Sequence, residues 1–377
     1  MNILYDSAMP YAVEFFDGLG RLSSFSAGSL EASALASADI LLVRSTTQIN
    51  QQLLTQAPKL KIVGTATAGF DHFDVNAIEN AGVKWMASPG CNARAVAEYV
   101  CCALLTAAEN VGFSLSNKSL GIVGAGQVGS RVANLMQYFG MRTINCDPPR
   151  ARRETQFQSA ALEEALNADI VSLHVPLTRE GEDPTYHMLN AKLLGQMSAG
   201  QVLINACRGD VIDPEALLQL KNDLFLVIDC WPNEPNVNKD LINASDIATA
   251  HIAGHTLEGK ARGTEMLYQQ LCALIKKDID RHLINFLPDM APTEPLLHAL
   301  QQIENDGISQ HRLMELCRCF YNISKDEAAF RQCMSNTDSF SEFRRNYPIR
   351  REFDAISLEM HNSSAARQLR SLGFSIK

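Results

Sequence analysis

Over residues 1–92 the chain alternates short apolar runs with stretches of helical periodicity. NILY, ADILLVRS, KIVGTAT and GVKWMAS read as strands, with the helical patterns PYAVEFFDGL and DVNAIENA between them. Alternation of this kind predicts βαβ units and a parallel sheet, because a parallel connection needs a crossover long enough to hold a helix. A long helix is predicted from Asn92 to Asn110, where NARAVAEYVCCALLTAAEN is dense in Ala and Leu.

After SNKS the alternation restarts with LGIVGAG, RTINCD, DIVSLHV, QVLINAC and FLVIDC. These runs are apolar almost throughout, as strands covered on both faces are, and they predict a second doubly wound domain. The next helical pattern, LEGKARGTEMLYQQLCALI, resembles a return into the first domain. From residue 281 the pattern changes: FLPDMAPTEP is proline-rich and reads as a linker, and two helical patterns with alternating segments follow. The expected fold class is therefore α/β with two parallel-sheet domains and a small α+β addition. The expected divisions are a flavodoxin-like domain of residues 1–92 with 256–280, a Rossmann domain of residues 93–255, and a C-terminal domain of residues 281–377.

Composition narrows the class without changing this picture. A chain of 377 residues with 46% hydrophobic and 20% charged residues folds rather than remaining disordered. No apolar run approaches the roughly 18 residues of a membrane span, and the opening MNILYDSAMPYAVEFF lacks a basic signal-peptide start. A cytoplasmic location is expected, with ten reduced cysteines, since no CxxC pair occurs. The net charge of −9 argues against nucleic acid or an anionic membrane as partner. All of that excess lies before Arg281, beyond which 12 basic residues face 12 acidic ones. No metal is expected.

The first chemical signal is LGIVGAGQVG, which places Gly124, Gly126 and Gly129 as GxGxxG directly after a strand and before the helical pattern SRVANLMQYFG. Gly124 suits a tight turn, Gly126 a close approach to pyrophosphate at a helix N-terminus, and Gly129 the packing of that helix on the strand. The next strand ends in Asp147, where a carboxylate can bond a ribose and repel a 2′-phosphate. NAD is thus the expected cofactor, although Arg150, Arg152 and Arg153 leave NADP open on charge alone.

Three further residues fall at strand ends, where open α/β sheets bind ligands: Arg208 after QVLIN, Glu234 in DCWPNEP after FLVIDC, and His251 after DIATA. Each has a commonplace reading on its own, but together they suit hydride transfer between a nicotinamide and a 2-hydroxy acid. A guanidinium forks onto the substrate carboxylate and polarises the oxygen at C2. An imidazole takes the C2 hydroxyl proton, and a nearby carboxylate steadies the imidazolium. Gly209 would let the backbone turn beside the bound anion. His255 is a competing base, and His174 in SLHVPL is expected to shape the cofactor pocket.

PGCNARAVAEYV, GxGxxG, HVPL, NACRGDVID, DCWPNEP and HIAG follow the order and spacing of the D-2-hydroxyacid dehydrogenase family, which the chain resembles over residues 1–280. VGTATAG, CDPPR, HIAGHTLEGKARGT and the extra C-terminal domain resemble more closely a branch that oxidises 4-phospho-D-erythronate at C2 in pyridoxal 5′-phosphate biosynthesis. The resemblance implies Arg208, Glu234 and His251 as active-site residues and NAD contacts from Gln127, Val128, Ala206, Cys207, Asp229 and Gly254. It further implies Ser45, Thr67 and His255 near substrate, and a homodimer made through the C-terminal domain. Val175 stands where a hydroxyl side chain often meets NAD, which leaves a backbone contact.

A phosphorylated substrate needs donors beyond Arg208. The candidates are Arg44, Arg94 and the tail cluster Arg344, Arg345, Arg350 and Arg351, with a solvated charge cluster as the competing reading. Two other functions remain open at this point. One is a dehydrogenase of another hydroxy acid, such as 3-phosphoglycerate, glycerate or lactate; the other is an NAD-binding regulator without turnover.

Overall fold

The computed structural model describes residues 1–26, 28–220, 223–336 and 339–377. The chain divides into two compact units, residues 1–92 with 255–288 and residues 93–254 with 289–377.

The first unit holds a five-stranded parallel sheet of β1 (Asn2–Asp6), β2 (Arg21–Phe25), β3 (Ile40–Val43), β4 (Ile62–Thr65) and β5 (Lys84–Met86), in the order β2-β1-β3-β4-β5. That is the flavodoxin-like order, with its switch point between β1 and β3. β2 is the strand the periodicity missed: RLSSF buries only Phe25, as an edge strand can, so it carries no apolar run. One face of the sheet is covered by the Leu257–Ile275 helix, whose Leu267, Tyr268 and Leu271 are buried against Ile3, Ile40 and Leu42. Fully burying a side chain of this size contributes about 1.5–3 kcal/mol, which fixes the returning helix to this unit. Thr256 caps that helix, its hydroxyl accepting from Gly259 N at 3.0 Å.

The second unit is built on a six-stranded parallel sheet of β6 (Ser119–Val123), β7 (Arg142–Cys146), β8 (Ile170–Leu173), β9 (Val202–Asn205), β10 (Phe225–Ile228) and β11 (Ile247–Ala248), ordered β11-β10-β9-β8-β6-β7. The order reverses between β6 and β8, and a crevice opens at such a point. The Gly124–Gly129 loop leaves β6 there.

Residues 289–377, expected as a C-terminal domain, pack into one compact unit with residues 93–254. Among the described residues they form five helices, Glu294–Asp306, Gln310–Phe320, Ile323–Asn336, Phe340–Arg345 and Ser363–Ser371, with a parallel pair of β12 (Ser357–Leu358) and β13 (Ser375–Ile376). Their apolar side chains, among them Leu296, Phe330, Phe353 and Leu369, share one continuous core with the NAD-type sheet. The Ala93–Val111 helix is the middle layer of that core. It is buried along nearly its whole length, because the tail helices cover the side that the sheet does not. Phe330 lies 6.0 Å from the Trp231 ring, so the tail packs against the segment that carries Glu234.

Candidate active site

The dinucleotide loop shows why each of its glycines is there. Gly124 has φ +91°, and a Cβ on it would meet the His174 carbonyl oxygen at 2.6 Å. On Gly129 a Cβ would meet the Gly124 oxygen at 2.0 Å, whereas on Gly126 it would meet nothing within 4 Å. Gly126 therefore faces open space at the N-terminus of the Gln127–Tyr138 helix. Unpaired N–H groups and the helix dipole favour an anion at such a place, so the loop fits a pyrophosphate. His174 stays neutral beside it: burial pushes it down to about 3. Its Nε2 lies 2.9 Å from the Ser172 hydroxyl. Burial also pushes Cys207 up to about 11, so its thiol carries no charge into the site.

Asp147 has a second task that its position in the sequence did not show. One carboxylate oxygen caps the Pro148–Arg153 helix by accepting from Arg150 N at 2.9 Å, which leaves Oδ2 for a ribose. Two of the three arginines behind it are engaged, and Arg153 is exposed. Arg150 donates to the Ala125 carbonyl at 2.7 Å and to Ser130 Oγ at 3.0 Å, while Arg152 pairs with Glu182 and Asp183. Arg150 and Arg152 are thus held by protein partners.

At the ends of β9, β10 and β11 the structure brings the loops of Arg208, Glu234 and His251 together. Asn205 braces the first, donating from Nδ2 to the Arg208 carbonyl at 2.9 Å and accepting from Cys207 N at 3.2 Å. Gly209 then lies so close to the Glu234 loop that a Cβ would stand 1.9 Å from Trp231 C and 2.2 Å from Pro232 N. This glycine is required for loop packing, not for a turn beside an anion as its sequence context suggested. Glu234 Oε1 accepts from Trp231 N at 2.8 Å, and Oε2 lies 2.8 Å from His251 Nδ1.

That pairing orients the imidazole. Burial alone would raise the Glu234 pKa, but His251, the bond between them, Trp231 N–H and the Arg344 guanidinium together bring it below the ordinary value. An ionised carboxylate only accepts, so in the neutral imidazole Nδ1 carries the proton and Nε2 presents its lone pair. His251 is thereby set to take a proton at Nε2, with the resulting charge balanced by Glu234.

Asp229, expected at the cofactor, holds protein groups. It is fully buried, its Oδ1 accepting from Thr249 Oγ1 at 2.6 Å and Ile252 N at 2.8 Å, and its Oδ2 from Ala253 N at 2.9 Å. The carboxylate is engaged under the His251 loop. Tyr99 continues this network, 2.7 Å from Thr249 Oγ1; the threonine proton goes to Asp229, so Tyr99 is the donor.

The remaining candidates divide between the units. On the first unit Ser45 is exposed at the end of β3. Thr67, just past β4, donates its hydroxyl to the Gly69 carbonyl at 2.8 Å, and His255 directly precedes the Thr256 cap. On the second, Gln127 and Val128 open the helix after the glycine loop, Val175 follows β8, Ala206 and Cys207 lead to Arg208, and Gly254 closes the His251 loop. Arg94 is not a spare phosphate donor: it pairs with Glu98, Glu352 and Asp354 and donates to the Gly373 carbonyl. Of the tail arginines, Arg350 is buried and donates to the Ala253 carbonyl, and Arg345 is exposed.

A family model for the NAD binding domain of D-isomer specific 2-hydroxyacid dehydrogenases matches residues 98–253, and one for a domain of unknown function, DUF3410, matches residues 297–373. An erythronate-4-phosphate dehydrogenase of Pseudoalteromonas atlantica is 43% identical over 380 residues, spanning 100% of both chains. The chain belongs to the erythronate-4-phosphate dehydrogenase family. A member from Psychromonas ingrahamii is 41% identical over 383 residues, covering 100% of this chain and 97% of its own.

Solved structures place the fold of this dehydrogenase in the wider D-2-hydroxyacid group. The NAD⁺-bound 3-phosphoglycerate dehydrogenase of Entamoeba histolytica superposes with a TM-score of 0.63 at 25% identity, covering 73% of this chain and 95% of that one. The Aquifex aeolicus D-lactate dehydrogenase complexed with NAD and lactic acid gives 0.59 at 25%, covering 73% and 96%. The erythronate-4-phosphate dehydrogenases named above, by contrast, match the chain from end to end, the tail included.

Proposed function

We propose that the protein oxidises 4-phospho-D-erythronate at C2 to the 2-oxo acid with NAD as hydride acceptor, a step of pyridoxal 5′-phosphate biosynthesis. The observation that carries the chemistry is the 2.8 Å pairing of His251 Nδ1 with Glu234, which supports Nε2 as the proton acceptor. The full-length similarity to erythronate-4-phosphate dehydrogenases carries the substrate.

In this reading the Gly124–Gly129 loop with Gln127 and Val128 holds the pyrophosphate, Asp147 the ribose, and Val175, Ala206, Cys207 and Gly254 line the cofactor through their backbones. The bound nicotinamide supplies a hydride acceptor. Arg208 binds the substrate carboxylate and draws charge onto the C2 oxygen, while His251 removes the hydroxyl proton at Nε2. Asp229 serves by holding the His251 loop. The resemblance adds Ser45, Thr67 and His255 as substrate contacts; the Thr67 hydroxyl donates to the Gly69 carbonyl and can still accept. The reading includes a cytoplasmic location, supported by ten cysteines that are all thiols. It also includes a homodimer through the C-terminal segment, where Leu297 and Ile349 are exposed at 51% and 79%.

The test is a substrate panel followed at 340 nm, with a 2-oxo acid acceptor added to regenerate any tightly held cofactor. NADH formation with 4-phospho-D-erythronate, reversed by the acceptor and lost in His251→Ala, is expected. A response to unphosphorylated hydroxy acids and none to this substrate would reassign the enzyme.

A further inference from the structure

His251 adopts a backbone conformation that most side chains avoid, with φ +53°. A left-handed residue other than glycine costs roughly 1–2 kcal/mol and persists where its surroundings over-determine it. Two groups do so here. From one side Asp229 takes the N–H groups of Ile252 and Ala253 on its carboxylate and that of His251 on its own carbonyl. From the other, Arg350 Nη2 donates to the Ala253 carbonyl, so Ala253 is gripped at both its N–H and its C=O.

Arg350 comes from the C-terminal segment and is itself firmly placed. It is 7% exposed, and its guanidinium lies 4.3 Å from the Tyr321 ring centroid. Beside it Tyr347 donates to Asp326 at 2.6 Å. Burial works against its charge, yet a guanidinium keeps its proton throughout the working pH range, and Tyr321, Tyr347 and Asp326 lie around it. Nη1 finds no acceptor among the described residues. A buried guanidinium left partly unsatisfied is a poor way to stabilise a core, and an apolar side chain would fill the space at lower cost. What an apolar side chain could not do is hold the Ala253 carbonyl.

We infer that Arg350 is a positioning residue for proton transfer: through the Ala253 carbonyl the C-terminal segment fixes the left-handed turn that presents His251. The tail is then part of the active-site machinery within each chain, whatever it does between chains. This rests on His251 being the base, so His251→Ala is assayed in parallel.

The variants are Arg350→Met, which removes the donor, Arg350→Gln, whose donor is too short to reach, and Arg350→Lys, which restores a long donor. A displacement of about 1 Å in a reacting group costs up to ~100-fold in rate. Met and Gln variants are expected to lose roughly 10- to 100-fold in kcat, with KM for substrate and Kd for NAD within about twofold and a larger solvent deuterium isotope effect on kcat. The Lys variant recovers part of the loss. If only one of the two donor-less variants folds, it is read by the same split. Wild-type kcat in a donor-less variant overturns the inference, as does a rise in KM at constant kcat. A loss of kcat that follows a fall in Tm with an unaltered isotope effect also overturns it, leaving Arg350 a packing residue. An inactive His251→Ala beside an Arg350→Met enzyme of wild-type kcat sinks this inference alone; an active His251→Ala sinks the assignment of the base.

Discussion

Replacing Glu234 by glutamine changes one charge and almost no volume, which makes it the sharpest perturbation of the proton-transfer pair. At an effective dielectric of about 20, two unit charges centred roughly 4 Å apart attract by about 4 kcal/mol. The side chains of His251 and Glu234 are 32% and 20% exposed, so solvent screening reduces that figure. A hydrogen bond to a charged partner is worth about 1.5–3 kcal/mol, and we take that range. It corresponds to roughly 10- to 100-fold in kcat, since the charge on the imidazole is largest after the proton has moved. Geometry adds to the electrostatics. Trp231 N–H already points at Oε1, at 2.8 Å. A glutamine must therefore turn its NH₂ either against that N–H or against His251 Nδ1. The second choice moves the ring proton to Nε2, the atom that has to accept. Steady-state kinetics over a range of pH is the assay. A fall in kcat with KM and NAD affinity nearly constant is expected. An E234Q enzyme with kcat within about twofold of wild type, or one impaired in KM alone, would refute the reasoning.

Three further outcomes follow from other contacts. Gly209→Ala puts a Cβ 1.9 Å from Trp231 C, a backbone atom that cannot swing away, so about 1–3 kcal/mol of stability and much of kcat should be lost together; an unchanged Tm contradicts the packing. Burial, with the Glu352 carboxylate beside it, raises Glu98 from the ordinary glutamate range toward about 8, so the folded state holds a proton that the unfolded state has released. Stability from this group is complete below the unfolded pKa and declines as pH rises toward 8; Glu98→Gln should flatten that decline in Tm, and parallel profiles would count against it. Asp147→Ala removes both the helix cap and the ribose acceptor, so NAD binding should weaken by roughly tenfold or more while Arg150 and Arg152 remain engaged and NADP gains little. A switch to NADP preference would overturn that reading of the arginines.

Much of this site is visible in the sequence because its logic is local. A glycine loop must follow a strand and precede a helix, and ligand-binding residues of a parallel sheet collect at strand ends, so Gly124, Arg208, Glu234 and His251 can be placed from spacing alone. What the sequence hides is which residues spend their polar groups on one another. Asp229 and Arg94 look from the sequence like free ligand contacts, and the fold shows the protein partners each also holds. Tyr99 and Thr249 look like ordinary core residues, yet they extend the Asp229 network beneath the His251 loop. The C-terminal helices could be sensed by pattern, but their sharing of a core with the NAD-type sheet depends on contacts far apart in the chain, such as Phe330 with Trp231. Arg350 shows the same limit: a cluster of arginines signals charge, and only the fold reveals that one of them turns inward to Ala253.

The central claim is that hydride leaves C2 of 4-phospho-D-erythronate for NAD as His251 takes the hydroxyl proton. Its most direct test is a single turnover with substrate deuterated at C2, followed by mass analysis of the cofactor and the organic acid. The account predicts one deuterium on the reduced cofactor for each 2-oxo acid formed, with a slowed rate of absorbance change at 340 nm and no transfer in His251→Ala. Deuterium retained in the organic acid, or washed into solvent while the cofactor gains protium, would contradict it.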